Sequence, residues 1–417
     1  MSLTPRLPLT RAASPPLGLR SGSVPARELT HPTPPSRTRS MLDGWTTANY
    51  GQAVGVVDRL RQHLRCARCA TALDIETPAI ACSGCGQKYF RLGRIPVLLP
   101  RPDDHLSLWR RQLGLLVAQS QQMTGALEAE AGNPELAEGG KLRLTALARG
   151  VRDQLGQIVD IVGSALGGPL EPQENTGLPR GVVEYSYLLY RDWAWEKAGN
   201  RECQQSIDSI RSVVTTEKLG RMLVVGAGAC RLAYDLHRFL GADETAVVDI
   251  DPFLFVFAEA VVRGAIVQFT EASTTVQELS RVARTWDLTA PDGPLGEDVF
   301  HFFLANGLSP PFADGTFDSV VTPWFIDQVP PDLPAFLSAL RRLLRPGGRW
   351  INHGPLIYPV DAPIARRFSR EELFDVIARA GFRIDRWRSD SQQHLVSPLT
   401  ERGKMEWGIT FEAQPVK

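Results

Sequence analysis

A short apolar run that ends in a glycine turn constrains this chain more than any other stretch. Residues 222–225 (MLVV) are all apolar and predict a buried parallel strand. Gly226 and Gly228 follow directly, and glycines at such a turn let the backbone approach a ligand closely. Residues 230–240 then place apolar side chains at helical spacing, and Gly241 stands where a helix stop is expected. The stretch therefore predicts a strand, a turn and a helix in succession.

A second apolar strand follows this helix and ends in an acid. Residues 246–248 are apolar, and Asp249 lies roughly 20 residues beyond the glycines, where a carboxylate can accept hydrogen bonds from two ribose hydroxyls. Asp251 lies on the same face of the strand and is the alternative, although Asp251-Pro252 is more typical of a helix cap. The glycines alone are weak support, because an ordinary strand-to-helix turn also uses them. Together these features predict half of a nucleoside-cofactor site.

The charge balance and the hydropathy pattern argue against several kinds of partner. The chain has 417 residues, of which 43% are hydrophobic, so it has room for two or three domains with a sizeable core. Its 46 basic and 46 acidic residues give a formal net charge of zero, which gives no indication of a nucleic-acid partner. No apolar run of about eighteen residues is present in the sequence. We therefore expect neither a nucleic-acid partner nor a membrane span.

Four of the six cysteines form two Cys-x-x-Cys pairs, Cys66 with Cys69 and Cys82 with Cys85. Each pair can form a tight knuckle that delivers two thiolates to one tetrahedral zinc ion. Four sulfur ligands leave no open position for a water nucleophile, so this zinc is expected to be structural. The alternative, two redox dithiols, lacks the βαβ context of thioredoxin-like motifs. Metal binding by free thiols indicates a reducing compartment, and we expect a cytoplasmic protein.

The chain divides into four predicted segments. Residues 1–45 are rich in proline and arginine, without periodicity, and predict a disordered tail. Residues 46–100 contain the cysteine pairs and predict a zinc-ribbon domain. Residues 101–180 carry apolar residues at helical spacing and predict a helical connector. Residues 181–417 form the α/β domain, in which residues 268–296 are a predicted insertion beside the site, as a lid or a packing element.

Two further motifs follow in the order expected of one enzyme fold. Residues 311–321 read PFADGTFDSVV, and residues 340–348 read LRRLLRPGG. With the glycine turn, these motifs resemble the class I S-adenosylmethionine-dependent methyltransferases. The resemblance implies a Rossmann-like, doubly wound α/β fold with a mostly parallel seven-stranded sheet, and it makes residues 181–417 the methyltransferase domain. Residues 89–99 (YFRLGRIPVLL) are in turn similar to zinc ribbons that are fused to methyltransferases or act as their partners.

A more specific resemblance covers the chain from Glu184 to about Arg388. Residues 191–193 (RDW), followed by Gly199 and Glu202, resemble a segment just upstream of the cofactor domain in carnosine N-methyltransferase-like enzymes. The resemblance continues through VGAG at 225–228, VTPWFID at 321–327 and GRWINHGPLIY at 348–358. This family implies methylation of a nitrogen, best known on the imidazole of a histidine-containing dipeptide.

The cofactor-side residues follow from the pattern and from this resemblance. Gly226 and Gly228 are expected to let the backbone pack against the methionine and ribose of S-adenosylmethionine, and Asp249 is expected to bind the ribose. The resemblance implies that Arg191 pairs with the cofactor carboxylate; the alternative is that it only anchors a surface acid. Asn306 stands where methyltransferases often place an aspartate beside the adenine amine, and its amide oxygen can accept the same hydrogen bond. Its alternative role is to shape a turn.

Three residues are predicted on the acceptor side. Asp327 follows an apolar strand at the carboxyl edge of the sheet, where it can accept a proton or a hydrogen bond from a substrate nitrogen, as the resemblance also implies. Its alternative role is a helix N-cap. His353 is a candidate general base or a structural hydrogen-bonding residue, and Tyr358 follows the same strand. Pro359 occupies a position where the dipeptide-methylating enzymes have a histidine, which argues against carnosine-like specificity.

These observations predict an S-adenosylmethionine-dependent N-methyltransferase that acts on a small molecule or peptide, with an imidazole-like acceptor among the candidates. The zinc ribbon is expected to support the enzyme or to bind a protein partner. Two other functions stay open: RNA methylation, since zinc ribbons also precede ribosomal RNA methyltransferase domains, and a non-catalytic adaptor that keeps the fold. Asn306, Cys230 and the absence of an acid at Val224 leave the adaptor open.

Overall fold

The apolar runs of the sequence form the strands of one central sheet, which fixes the position of the other elements. The computed structural model describes residues 60–75, 80–167 and 186–416, and the tail predicted for residues 1–45 lies outside them. In chain order the strands are β1 (Ile80–Ala81), β2 (Lys88–Leu92), β3 (Ile95–Leu98), β4 (Gly220–Val225), β5 (Ala242–Asp249), β6 (Val267–Ala272), β7 (Ala283–Leu288), β8 (Phe300–Ala305), β9 (Phe317–Pro323), β10 (Leu344–Pro355), β11 (Phe382–His394) and β12 (Lys404–Pro415).

The central sheet has ten strands in the order β1-β2-β3-β8-β5-β4-β9-β10-β12-β11. The strands from β3 to β10 in this order are parallel neighbours, whereas β12 runs antiparallel to both β10 and β11. The seven strands from β8 to β11 form the mostly parallel, Rossmann-like sheet, so the predicted fold is confirmed. The other three strands come from the cysteine-rich segment, and the sequence did not predict that they join the same sheet.

Helices cover both faces of the sheet, as a doubly wound fold requires. In chain order they are α1 (Pro102–Ala131), α2 (Glu138–Ile158), α3 (Ser164–Leu166), α4 (Ser186–Trp193), α5 (Glu196–Val213), α6 (Arg231–Phe239), α7 (Pro252–Val262), α8 (Leu333–Leu343) and α9 (Arg370–Arg379). Helices α4 to α7 contribute to the apolar core on one face, and α8 and α9 to the core on the other. Within the described residues, no helix combines the length and apolar character needed to cross a membrane.

Two helices begin with a side-chain cap. Asp251 is the N-cap of α7, and its carboxylate accepts hydrogen bonds from the backbone N–H groups of Phe253 and Leu254, at 2.8 and 3.4 Å. Ser369 caps α9 in a capping box with Glu372, whose side chain accepts a hydrogen bond from the backbone N–H of Ser369. The cap predicted at Asp251 is confirmed, and it occupies the carboxylate that was the alternative ribose ligand.

The cysteine-rich segment is continuous with the sheet. β2 and β3 form an antiparallel hairpin, and β3 then pairs parallel with β8, which places Val97 opposite Leu304. Leu60 and Leu64 are fully buried, in the same apolar cluster as Phe312. Because both hydrogen bonds and apolar packing cross this boundary, the segment shares a core with the α/β domain.

A buried carboxylate on β5 ties the start of this segment to the sheet. Glu244 accepts a hydrogen bond from the backbone N–H of Leu60 at 3.0 Å, and its other oxygen pairs with the guanidinium of Arg221, also at 3.0 Å. Nε2 of His301 lies 3.2 Å from the oxygen that Leu60 contacts. Burial raises the pKa of Glu244, but His301 and Arg221 outweigh it and hold the pKa below its ordinary value. The carboxylate is therefore charged and has three partners.

The predicted helical connector and the predicted insertion pack on each other. β6 and β7 form a two-stranded antiparallel sheet. Apart from the first residue of β6, both strands lie within residues 268–296. The helix α2 lies against this hairpin, and a Cβ at Gly150 would lie 2.6 Å from the Cβ of Ala283. Glycine is therefore needed for the close approach of helix and hairpin. The hairpin is a packing element, which is one of the two roles that the sequence left open.

Replacement of the shared acceptor tests the link between the cysteine-rich segment and the sheet. We expect Glu244→Ala to lower the free energy of unfolding by about 3 kcal/mol, because a buried charged acceptor with three partners is lost. Glu297→Ala is the matched control, since Glu297 pairs with Arg94 at the surface at 2.8 Å and its loss should cost less than about 1 kcal/mol. Urea denaturation measures both variants, and an equal effect would contradict the anchoring role of Glu244.

Candidate active site

A large cavity lies where the carboxyl ends of the parallel strands meet. Its volume is about 1380 Å³, and the loops that follow β4, β5, β8 and β9 line it. Side chains from the first part of α1, from α4 and from α5 form further walls, and residues 357–363 close another side. Parallel α/β sheets bind their ligands outside the carboxyl ends of the strands. The cavity is therefore where this fold places a cofactor and a substrate.

The glycine turn after β4 has the geometry that its sequence predicts. Gly226 has a φ of +71°, and a Cβ there would lie 2.6 Å from the ring of Phe325, so both the backbone and the packing require glycine. Gly228 has a φ of +55° and donates its N–H to the carboxylate of Asp249 at 2.8 Å. The turn thus holds the backbone beside the acid that ends β5.

Asp249 lies on the cavity wall, and its carboxylate organises the turn. Oδ2 accepts the hydrogen bond from Gly228, and Oδ1 accepts hydrogen bonds from the backbone N–H groups of Ile250 and Asp251, at 2.7 and 3.0 Å. Burial raises the pKa of Asp249, and these hydrogen bonds act against the shift. Each carboxylate oxygen has two lone pairs, so Oδ2 can accept a further hydrogen bond. This geometry is compatible with ribose binding, which stays a prediction.

Arg191 also lies on the cavity wall, where two acids hold its guanidinium. Nε donates to Asp192 at 2.6 Å, and Nη1 donates to Glu202 at 3.1 Å. Burial opposes the charge of Arg191, but Asp192 and Glu202 outweigh this effect and raise its pKa. The alternative role supposed that Arg191 anchors an acid at the surface, but Asp192 and Glu202 are both buried. Pairing of Arg191 with a cofactor carboxylate stays a prediction.

Asn306 lies on the cavity wall directly after β8. Its side-chain oxygen accepts a hydrogen bond from the backbone N–H of Leu308 at 3.0 Å, and its carbonyl oxygen accepts one from the backbone N–H of Ser309, also at 3.0 Å. Asn306 therefore shapes the turn, which was its alternative role. The side-chain oxygen keeps a second lone pair, so the predicted contact with an adenine amine is compatible with this turn and stays a prediction.

Asp327 lies in a short 3-10 turn, Ile326–Gln328, and is not among the described residues that line the cavity. Oδ2 accepts a hydrogen bond from the backbone N–H of Ile357 at 3.2 Å, and Oδ1 has no hydrogen-bond partner among the described residues. Burial raises the pKa of Asp327 to about 6. The helix α8 has Asp332 as its N-cap residue, so the alternative role of Asp327 as a helix cap is wrong. The predicted contact with a substrate stays a prediction.

Tyr358 and His353 are placed differently with respect to the cavity. Tyr358 lines it, and its hydroxyl donates a hydrogen bond to the carbonyl oxygen of Phe368 at 3.0 Å. His353 is buried in β10 outside the described lining, and its Nδ1 lies 2.8 Å from the hydroxyl of Thr410. Burial lowers the pKa of His353 to about 4, so its ring is neutral at physiological pH. This placement fits the structural role that the sequence left open, and a general-base role for His353 stays a prediction.

Sequence reasoning did not find two aromatic residues of the cavity wall. Trp324 follows β9, and His394 ends β11; their rings are stacked, with centroids 4.3 Å apart. Glu202, which lies on α5, contacts His394, although the two residues are 192 positions apart in the sequence. A single histidine at the end of a long polar strand carries no local signal of function. Only the pairing of β11 with β12 and the packing of α5 bring this group together.

The four cysteines of the two Cys-x-x-Cys pairs converge. Their sulfur atoms all lie within 4.8 Å of one another. Sγ of Cys66 lies 3.7 Å from Sγ of Cys85, and Sγ of Cys69 lies 3.5 Å from Sγ of Cys82. In a tetrahedral zinc site with Zn–S bonds of about 2.3 Å, the sulfur atoms are about 3.8 Å apart. The arrangement therefore fits a single tetrahedral ion.

Similar solved structures include three methyltransferases. An S-adenosylmethionine-dependent methyltransferase of Methanosarcina mazei is 18% identical, and the match covers 50% of this chain and 96% of that chain, with a TM-score of 0.35. Phosphoethanolamine N-methyltransferase 2 of Haemonchus contortus, in complex with S-adenosyl-L-methionine, is 15% identical over 51% of this chain and 53% of its own, with a TM-score of 0.33. A methyltransferase of Aquifex aeolicus is 13% identical over 54% and 91%, with a TM-score of 0.30.

The amino-acid sequence also matches a curated relative and a family model. Carnosine N-methyltransferase of Dictyostelium discoideum is 30% identical over 91 residues, a match that spans 20% of this chain and only 19% of the relative. The model of the carnosine N-methyltransferase family matches residues 180–397, which is more than half of the chain. The matched segment contains the glycine turn, Asp249 and all the residues predicted on the acceptor side. This chain therefore belongs to the carnosine N-methyltransferase family.

Proposed function

We propose that this chain is an S-adenosylmethionine-dependent N-methyltransferase that acts on a nitrogen of a small molecule or peptide. The observation that carries the proposal is the bond between the glycine turn and Asp249 on the cavity wall, inside the segment that matches the family. The cavity of about 1380 Å³ exceeds the roughly 300–1,000 Å³ of a typical site for one ligand. This volume supports the proposal, because a methyltransferase has to hold a cofactor and an acceptor together.

The cofactor supplies an activated methyl group when it is bound, and the protein has to hold donor and acceptor close and aligned. Gly226 and Gly228 let the backbone approach the methionine and ribose parts of the cofactor. Asp249 accepts hydrogen bonds from the ribose hydroxyls, and Asn306 accepts one from the adenine amine. Arg191 presents a fixed positive charge on the cavity wall for the cofactor carboxylate.

On the acceptor side we propose Asp327 and Tyr358, with His353 as a less accessible candidate. The unpartnered oxygen of Asp327 is buried, and a buried acceptor without a partner is costly unless a ligand or a water supplies a donor. A substrate N–H would satisfy it. Carnosine is the acceptor in the name of the Dictyostelium relative. Pro359 replaces the histidine of the dipeptide-methylating enzymes, so we propose an acceptor that shares the reactive nitrogen of carnosine but not its whole shape.

We also propose that Cys66, Cys69, Cys82 and Cys85 hold one structural zinc ion. The short strands β1 to β3 bury little surface of their own, and metal binding supplies folding free energy to such segments. Through the pairing of β3 with β8, the segment supports the methyltransferase sheet. Its outer surface is available for a protein partner. Four reduced thiolates require a reducing compartment, which supports a cytoplasmic location.

Isothermal titration calorimetry with S-adenosylmethionine tests the cofactor site. We expect Asp249→Asn to weaken binding about tenfold or more, because the loss of hydrogen bonds to a charged acceptor costs about 1.5–3 kcal/mol. Asp251→Asn is the matched control and should bind within about twofold of the unmodified chain, since asparagine caps a helix as well as aspartate does. The reverse pattern would assign the ribose to Asp251. If S-adenosylmethionine shows no saturable binding to the zinc-loaded, unmodified chain, the proposed enzymatic function is wrong, and a non-catalytic adaptor that keeps the fold is favoured.

Steady-state methyl transfer tests the role of Asp327, with carnosine as the probe acceptor. We expect Asp327→Asn to leave the affinity for S-adenosylmethionine nearly unchanged and to lower turnover about 100-fold, because the amide holds an acceptor N–H less strongly than the carboxylate does. Asp375→Asn, at an exposed position on α9, is the control and should keep full turnover. Turnover of the Asp327 variant equal to that of the control would contradict a substrate role.

Metal analysis by mass spectrometry tests the zinc site. We expect about one zinc ion per chain, and Cys82→Ser should lose it and lower the melting temperature, because three thiolates no longer complete the tetrahedron. Cys203→Ser is the matched control, since this buried cysteine lies outside the cluster, and it should keep the full zinc content. A Cys82 variant that keeps its zinc would contradict the four-thiolate site.

A further inference from the structure

The stacked pair Trp324–His394 is the most organised part of the cavity wall that the proposed function leaves without a role. The two rings are nearly parallel, at 21°, with centroids 4.3 Å apart. Trp324 follows β9 at the carboxyl edge of the sheet, where substrates bind in this fold. His394 is 7% exposed and still lines the cavity, so the small open part of its side chain faces the cavity.

A carboxylate fixes the orientation of this histidine from behind. Oε1 of Glu202 lies 2.7 Å from Nδ1 of His394, and Oε2 accepts a hydrogen bond from the backbone N–H of Leu395 at 2.8 Å. Burial raises the pKa of Glu202, but the guanidinium of Arg191 and the contacts with His394 and Leu395 together outweigh it and lower the pKa. The carboxylate is therefore charged and accepts the Nδ1–H of His394, so Nε2 is the nitrogen that is left for a bound molecule.

The remaining nitrogen of His394 is free to contact a bound molecule. Glu202 occupies Nδ1, Trp324 covers one ring face, and Nε2 has no hydrogen-bond partner among the described residues. A histidine held by a carboxylate on one nitrogen, with the other nitrogen directed at the reacting group, is the arrangement of a general base. Stacking and the carboxylate together leave the ring little freedom to turn away.

Backbone strain at Trp324 and at the residue directly after His394 supports a functional role for the pair. Trp324 has a φ of +51° and Leu395 a φ of +53°, a region that residues other than glycine rarely adopt. The N–H of Trp324 donates to the carbonyl oxygen of His353 at 2.8 Å, and a Cβ at Gly354 would lie 2.9 Å from the Trp324 backbone. Such strain persists only where the surroundings enforce it, and it clusters at active sites.

We propose that His394 is the catalytic base, with Glu202 as its positioning residue, and that it accepts the proton of an azole acceptor from the ring nitrogen that is not methylated. This inference rests on the proposed methyl transfer. A new N–C bond forms as the C–S bond of the sulfonium breaks, and the electron pair of that bond stays on sulfur. The N–H proton of an azole acceptor then moves to Nε2 of His394 and from there to solvent. Asp327 keeps its proposed role toward a different donor of the substrate, because an azole carries one N–H and His394 takes that proton.

Two variants of His394 separate proton transfer from binding and from folding. His394→Asn keeps a donor for Glu202, and His394→Gln keeps a hydrogen-bond acceptor near the position of Nε2, but neither side chain can take a proton. We expect both to lower kcat for carnosine about 100-fold or more, with the Kd for S-adenosylmethionine within about twofold of the unmodified chain. His237→Gln is the matched control, since His237 contacts Thr245 in the first half of β5, does not line the cavity and should keep full kcat.

The positioning role of Glu202 has its own measurement. Glu202→Gln keeps an oxygen that can accept the Nδ1–H but removes the charge that stabilises the imidazolium form, so we expect a smaller loss of kcat, about tenfold, with KM for carnosine nearly unchanged.

A rise of KM without a fall of kcat in the His394 variants would overturn proton transfer. Retention of kcat within about threefold in both variants would also overturn it.

The outcome for the unmodified chain keeps this inference distinct from the proposed function. Absence of S-adenosylmethionine binding overturns the proposed function itself. Tight cofactor binding without methylation of carnosine or of free imidazole, both of which carry an azole N–H, overturns the inference, because it commits to an azole acceptor. Methylation together with a loss of kcat in the His394 and Glu202 variants, but not in the His237 control, supports the base and its positioning residue.

Discussion

The parallel register of β5, β4 and β9 is the constraint on which the candidate active site depends. Val225 lies opposite Val248, and Val224 lies opposite Val321, so the three strands end at nearly the same level. Gly226 and Asp249 therefore meet at one edge although a whole helix separates them in the sequence. A slip of one residue in either pairing would turn alternate side chains to the other face of the sheet. The buried apolar strands thus decide which polar groups can meet.

A second level of organisation comes from buried charges that connect elements on different sides of the cavity. Glu202 on α5 contacts Arg191 on α4 and both His394 and Leu395 at the end of β11. Buried polar groups of this kind are costly unless every partner is in place. The network therefore couples the wall expected to hold the cofactor carboxylate to the wall that carries the stacked pair, so that both walls depend on the same carboxylate.

Local patterns were sufficient for the parts of the structure that depend on neighbours in sequence. Spacing alone was sufficient to predict three features: the strand, glycine turn and helix from residue 222 onward, the Asp251 cap, and the convergence of the cysteines. The pairing of β3 with β8 could not, since it joins residues about 200 positions apart and both strands look complete by themselves. The place of His394 on the cavity wall and the burial of His353 could not be predicted for the same reason. Their exposure and their partners depend on strand pairings that the sequence does not reveal.

The attachment of β3 to β8 also has a consequence for the outer edge of the parallel sheet. An uncovered edge strand presents unpaired N–H and C=O groups, which invite pairing with another chain. Here the hairpin of β2 and β3 covers that edge, and it belongs to the same polypeptide. A separate covering subunit would dissociate on dilution, whereas a tethered one keeps a constant effective concentration. The stoichiometry of sheet and cover is thus fixed at synthesis, whatever the abundance of the protein.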